Sequence, residues 1–313
     1  MKLKNKLLSL AFVVILIMTM LIGCTEKTTA MTDRAGNKFD LPKKVNTIIS
    51  TAPSNTEILV NLGLADKLIA IDKYSADIEG VSTDLPKIDF RNPDAETIVG
   101  LKPDLIIASG HNKSGNEDPF AAVKEAGIEV IYIPVSSSIE GIYEDINFIA
   151  SVTGTEKKGT EIVENMKNEI NSIKEIGNTI TNKKSVYFEI GSTPSLYSFG
   201  NGTFLNEMIE LIGAKNILAN ENSWISPSDE IIMKSNPDVI LTNESTENIV
   251  DSIKTRDGWN AVTGVKENNI FVIDKNSSSR PSQNIIKALK EMAKAVYPEK
   301  YTQIWEGSIN YAH

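Results

Sequence analysis

Short apolar runs recur along the chain, each followed by polar loop residues and then by an amphipathic stretch. Asn46 to Ser50, Leu68 to Ile71, Leu105 to Ala108 and Val130 to Ile133 set the pattern, and Ser185 to Ile190, Val239 to Thr242 and Ile270 to Ile273 repeat it later. Runs that are apolar at every position predict strands buried on both faces, and therefore parallel sheets covered by helices. Ala52-Pro53-Ser54-Asn55 opens a helix through Glu57, Leu59 and Leu62 that Gly63 stops, and the helix at Thr203 to Ile212 stops at Gly213. From Ser138 to Asn178 no strand is legible. Ile139, Ile142, Ile146, Ile149 and Val152 space one helix there, and Ile162, Val163, Met166, Ile170 and Ile173 a second, running to about Ile176. The pattern predicts an α/β protein: two similar α/β lobes with mostly parallel sheets, joined by one long connecting helix, with a ligand groove between them. The expected boundaries are 44–150 for the first lobe, 151–180 for the connecting helix and 181–313 for the second lobe.

An internal match supports the two-lobe expectation. Phe90-Arg-Asn-Pro93-Asp-Ala-Glu96 precedes Pro103-Asp104-Leu105-Ile106, and Trp224-Ile-Ser-Pro227-Ser-Asp-Glu230 precedes Pro237-Asp238-Val239-Ile240, at a constant offset of 134 residues. Asn92 and Ser226 read as N-caps, with Pro93 and Pro227 at the first helical position. Pro103 and Pro237 then end both helices. Glu96 and Glu230 fall at equivalent surface positions. A single such Glu reads simply as a helix-dipole residue, whereas duplication in a fixed frame favours a shared task.

Composition narrows the chemistry. The 313 residues carry 32 basic against 41 acidic side chains, a formal charge of −9, with no long basic run, which disfavours nucleic acid as a partner. One Cys and two His leave no intrachain disulfide and too few soft ligands for a dedicated metal cage. No phosphate loop, G-x-S-x-G elbow or H-E-x-x-H motif is present, so no catalytic residue, resident metal or cofactor is assigned and the chain is not expected to be an enzyme. The N-terminus is distinctive. Lys2, Lys4 and Lys6 precede an apolar run from Leu7 to Ile22, which reads as a secretory signal at 1–23, or alternatively as an uncleaved anchor helix. Leu21-Ile22-Gly23-Cys24 resembles the lipobox of bacterial lipoproteins, which implies acylation of Cys24, a tether and lead-in at 24–43, and a body held outside the cytoplasmic membrane by its lipid alone.

Taken together, Pro53-Ser-Asn-Thr-Glu57 with Leu62-Gly63, Asn92-Pro93-Asp-Ala-Glu96 with Leu101-Lys102-Pro103-Asp104-Leu105, Gly202-Thr-Phe204 to Gly213-Ala-Lys-Asn216-Ile217, and Arg280-Pro281 resemble a known family over residues 44–297. It is that of the solute-binding proteins of bacterial ABC importers for vitamin B12, ferric siderophores and haem, in which a helical backbone links two lobes. The resemblance implies a monomer that delivers a metal chelate to a permease dimer with its ATPase subunits. It also implies that Glu96 and Glu230 dock onto permease Arg residues, one per lobe.

Ligand contacts are expected in loops after strands. Tyr74 and Tyr197 lie there, Phe90 and Trp224 lie in the repeated turns at helix starts, and the resemblance matches all four to groove positions of the vitamin B12-binding members; interlobe packing is the competing role, above all for Phe199. Lys73, Arg91 and Arg280 are candidate cations for an anionic chelate, with Arg91 and Arg280 preferred, Arg280 because it comes after Ser277-Ser-Ser279 beyond the end of a strand, as Ser136-Ser-Ser138 follows the corresponding strand of the first half. His111 sits in a loop where it either approaches a bound metal or is simply solvated. The aromatic set favours a corrinoid, Arg91 and Arg280 a ferric siderophore, with haem as the alternative. An extracellular hydrolase and a structural surface lipoprotein are the readings from other classes.

Overall fold

The structure, a computed structural model, describes residues 29–112, 117–192 and 194–302. Cys24 and the apolar run before it lie outside these, as do Trp305 and His313. The chain opens with an antiparallel hairpin, β1 (Thr29–Thr32) and β2 (Lys38–Leu41). The first lobe then runs β3 (Ile48–Ser50), α1 (Pro53–Asn61), β4 (Leu68–Asp72), β5 (Lys87–Ile88), α2 (Ala95–Leu101), β6 (Leu105–Ser109), α3 (Ala121–Glu125) and β7 (Val130–Ile133). Two helices follow, α4 (Ile139–Thr153) and α5 (Glu156–Asn178). The second lobe comprises β8 (Ser185–Glu189), β9 (Ser198–Phe199), α6 (Phe204–Leu211), β10 (Lys215–Asn216), β11 (Trp224–Ile225), α7 (Asp229–Ser235), β12 (Val239–Thr242), α8 (Ile249–Lys254), α9 (Thr263–Lys266), β13 (Ile270–Val272), α10 (Lys275–Ser279) and α11 (Ile285–Val296).

The two main sheets are parallel, in the order β5-β4-β3-β6-β7 and β10-β8-β12-β13. In each, the lobe's first strand pairs on one side with the next main strand and on the other with the strand that follows Pro-Asp, so the sequence repeat is a topological repeat. Both faces of each sheet are covered. Leu105 and Ile107 of β6 and Val186 and Phe188 of β8 point into one core shared by both lobes. Ile106 and Tyr187 point into separate outer cores. Burial on both faces is why these strands read as unbroken apolar runs.

The shared core is the joint between the lobes. Helix α4 is capped by Ser138, whose hydroxyl accepts from Gly141 N at 3.0 Å, and stops at Gly154 with φ +70°. Helix α5 turns Ile162, Val163, Met166, Ile170 and Ile173 inward and packs on α4, α6 and α11. Its 23 residues span about 34 Å at 1.5 Å per residue. At its end Gly177 meets the turn after α6 so closely that a Cβ there would lie 2.1 Å from Leu211 O.

The duplicated unit has a common architecture, with one correction to the expected caps. The helices begin two residues later than expected: Asp94 and Ser228 are the N-caps, and Pro93 and Pro227 stand just outside. The cap side chains accept from Glu96 N and Ile231 N, within reach because Asp94 and Ser228 adjoin the first turn. Both helices stop in a left-handed residue, Lys102 (φ 52°) and Asn236 (φ 45°), immediately before the proline. The following Asp has the same job in each lobe. Asp104 accepts from Asn46 N and Thr47 N at 2.8 and 3.0 Å, and Asp238 accepts from Ser185 N and Oγ at 2.7 Å each. Each thus pins the start of the neighbouring first strand.

Candidate functional site

In parallel sheets the loops leaving the carboxyl ends of the strands gather on one edge, and here those edges face each other across the lobe boundary. From the first lobe, the chain leaves β4 through Lys73–Ser75, β5 through Phe90 and Arg91, and β6 through Gly110–Asn112. From the second, it leaves β8 toward Tyr197, β12 through Asn243, and β13 into α10. A cavity of about 890 Å³ lies between them, lined by Lys73, Tyr74 and Asp77 on one side and Asn243, Val272 and Asn276 on the other. Its volume is in the range of small-molecule sites.

The four expected aromatics form two pairs, one per lobe. Tyr74 packs on Phe90 with ring centroids 6.1 Å apart, and Tyr197 stacks on Trp224 at 6.4 Å with planes 21° apart. Phe199 holds Trp224 from below in an edge contact at 6.0 Å, and is itself fully buried, so its role is packing. Tyr74, Tyr197 and Trp224 remain 54%, 42% and 38% exposed. Each of these rings thus keeps an open face. The second pair depends on a device invisible to a search for buried runs: β9 and β11 form a two-residue antiparallel ribbon in which Trp224 sits opposite Phe199. Tyr74 alone lines the 890 Å³ cavity; Phe90, Tyr197 and Trp224 stand outside its lining.

Positive charge collects on the first-lobe pair. Lys73 Nζ lies 4.9 Å from the Tyr74 ring centroid, and the Arg91 guanidinium 5.7 Å from that of Phe90. His111 is exposed in the turn after β6; partial burial of its ring and the charge of Arg91 both lower its pKa.

Arg280 is engaged within the protein. Ser277-Ser-Ser279 follows β13 and is wound into the short helix α10, and the Arg280 guanidinium beyond it turns into the lobe boundary. There it contacts Glu57 Oε1 at 3.0 Å and Asp77 Oδ1 at 3.0 Å, and donates to Tyr74 O at 3.0 Å. Ser282 Oγ donates to the other Glu57 oxygen, and Gln283 Nε2 to Glu57 O at 3.2 Å. Burial pushes the Glu57 carboxyl up from the usual range, with Ser282 and Arg280 offsetting part of the effect. Glu57 was legible only as part of a motif, since its partners lie more than 200 residues away.

Glu96 and Glu230 are both exposed, in the first turns of α2 and α7. Each helix runs back toward the start of the next strand, and the two carboxylates occupy matching places in the repeat, six residues after Phe90 and Trp224. The anchoring differs. Asp229 accepts from the buried Trp259 indole at 2.7 Å, whereas the Asp94 carboxylate accepts from Glu96 N and Thr97 Oγ1 of its own first turn. Also among the described residues, no group of three His, Cys, Asp or Glu side chains is placed to hold a metal ion.

Comparison with known proteins agrees with this geometry. The model of a periplasmic binding protein family matches residues 48–277. An uncharacterized ABC transporter substrate-binding lipoprotein of Bacillus subtilis is 33% identical over 285 residues, covering 89% of each chain. The vitamin B12-binding protein of Yersinia pestis is 29% identical over 208 residues, 66% of this chain and 72% of that one. Among solved structures, one described as a possible iron-binding (periplasmic solute-binding) protein from Staphylococcus epidermidis is 31% identical and superposes with a TM-score of 0.73, covering 82% of this chain and 100% of the other. The family is one of solute-binding transport proteins rather than enzymes. Two parallel-sheet lobes, a shared helical core and a groove between carboxyl edges are its architecture, and the chain belongs to the periplasmic binding protein family as an ABC-transporter substrate-binding protein.

Proposed function

We propose that this protein captures a metal chelate, a corrinoid or a ferric siderophore, between its two aromatic pairs and hands it to an ABC permease, while lipid on Cys24 keeps it at the outer face of the cytoplasmic membrane. The observation that carries the reading is the pair of exposed aromatic platforms, Tyr74 with Phe90 and Tyr197 with Trp224, one on each lobe. Flat rings on two sides suit a flat or globular chelate whose own ligands already satisfy its metal. Lys73 and Arg91 beside the first pair suit an anionic rim, and the relative named for vitamin B12 supports the corrinoid. Haem remains the alternative cargo. In this reading Glu96 and Glu230 dock the loaded protein on the two permease subunits, and the bound ATPase subunits drive release.

Calorimetric titration of the purified protein with cyanocobalamin, haem and a panel of ferric siderophores tests the proposal. Saturable sub-micromolar binding of one chelate supports it and names the cargo. No binding across the panel rejects a chelate as the substrate.

A further inference from the structure

We propose that Arg280 is a positioning residue: from the second lobe it grips the Tyr74-bearing turn of the first, and so sets the separation of the two aromatic platforms. The grip has three parts. One guanidinium spans Glu57 on α1, the Asp77 carboxylate just beyond the turn, and the carbonyl of Tyr74 itself, at 3.0 Å to each. Asn276 adds a parallel bond across the boundary to Asp77 Oδ2 at 2.9 Å. On the first-lobe side the turn is a rigid piece. Asp72 accepts from Tyr74 N at 2.8 Å and from Ser75 Oγ, and Ser75 Oγ lies 3.0 Å from Thr56 Oγ1 on α1. Displacing the guanidinium therefore displaces the turn as a unit, Tyr74 ring included.

The placement also explains why Arg280 is a poor cation for cargo. Its side chain is 12% exposed, and its hydrogen-bonding edge is shared between two carboxylates and a carbonyl. The planar fork offers five N–H donors in fixed directions and so reaches three first-lobe acceptors from the second lobe, whereas a lysine ammonium gathers its donors on one nitrogen. Arg280, Asp77 and Asn276 moreover line both the groove cavity and a second one of about 820 Å³ behind it, so the clamp is the partition between them. Cutting it removes the floor of the groove as well as the tie.

The test compares wild type with Arg280→Met, Arg280→Lys and Asp77→Ala by hydrogen exchange of the full chain. Only its cargo arm rests on the proposed function. We expect Arg280→Met to speed exchange at least fivefold in both 73–81 and 275–284 while β3, β6, β8 and β12 keep their rates. Arg280→Lys should recover part of the protection. Asp77→Ala, an exposed change that leaves Glu57 paired, should speed the same two segments and serves if Arg280→Met does not fold. Unchanged exchange in both segments, or a rise throughout the chain, overturns the proposal. In the cargo arm, affinity should fall by a similar factor for cyanocobalamin and for any anionic chelate that wild type binds. A loss confined to anionic chelates would instead make Arg280 a direct ligand contact and overturn the positioning role. If wild type binds none of the panel, the chelate reading fails while the exchange arm still decides the clamp.

Discussion

Truncating Trp224 isolates the contribution of one platform. The side chain carries up to about 250 Å², and the residue is 38% exposed, so a ligand lying on it can cover roughly 90 Å². At about 25 cal/mol per Å² this is worth roughly 2 kcal/mol, or about a 30-fold change in Kd. Trp224→Ala should therefore weaken the cargo about 30-fold, and Trp224→Phe by less, since the smaller ring keeps part of the face. The fold should survive, because the indole sits on Phe199 and Tyr197 at the rim and the fully buried Phe199 holds the core beneath. Calorimetry with the chelate that binds wild type gives the affinities, and urea unfolding checks integrity. An intact Trp224→Ala variant binding within twofold of wild type would refute the claim that this face is a ligand contact.

Three further outcomes are expected. Replacing Glu96 or Glu230 with Ala should leave chelate affinity unchanged and lower permease-dependent uptake by roughly fivefold each, the scale of an exposed ion pair; normal uptake with both replaced would exclude them as docking residues. Gly177→Ala places a Cβ 2.1 Å from the Leu211 carbonyl, a backbone atom, so α5 or the turn after α6 has to move. An overpacking cost of about 1 to 3 kcal/mol should appear as a lower urea midpoint, and an unchanged midpoint would mean that the joint is looser than its geometry. Burial pushes Asp77 up, but hydrogen bonds from Arg280 and Asn276 outweigh it and hold the carboxyl below its ordinary value. A group depressed in the folded state contributes fully above its unfolded pKa of about 3.9 and loses its contribution as pH falls through the folded one, so acid rather than alkali releases this arm of the clamp. An NMR titration of the Asp77 carboxyl should show a midpoint below 3.9 that rises in Arg280→Met; identical midpoints would deny the contact.

The sequence made the layered part of the fold readable because its strands are buried on both faces and its helices keep a 3.6-residue period. Val130–Ile133 and Val239–Thr242 match their expected limits, and α5 runs two residues beyond the expected end. The duplicated unit was legible through its side chains, yet its caps were placed two residues early, since Asn92 and Ser226 are as good cap formers as the Asp94 and Ser228 that win by proximity. What was not legible was local in span but tertiary in cause. The β9–β11 ribbon is two residues wide and leaves no periodic trace. Helix α11 is not among the elements expected above, although Ile285, Leu289, Met292 and Val296 repeat at helical spacing. At the site, Tyr74 and Tyr197 could be named because they follow strands, and Phe90 and Trp224 because they open the two copies of the repeat, but their pairing within lobes required the structure. Arg280 and Glu57 were both visible as residues, while their union depends on two lobes that no local pattern relates.

The account turns on a chelate lying between both platforms at once, which hydroxyl-radical footprinting of the protein with and without its chelate reads directly. Saturating chelate should slow oxidation of Tyr74 in the first lobe together with Tyr197 and Trp224 in the second, while the buried Trp259 stays unreactive in both states. Protection confined to one lobe, or unchanged oxidation of all three under conditions where calorimetry shows the chelate bound, would contradict it.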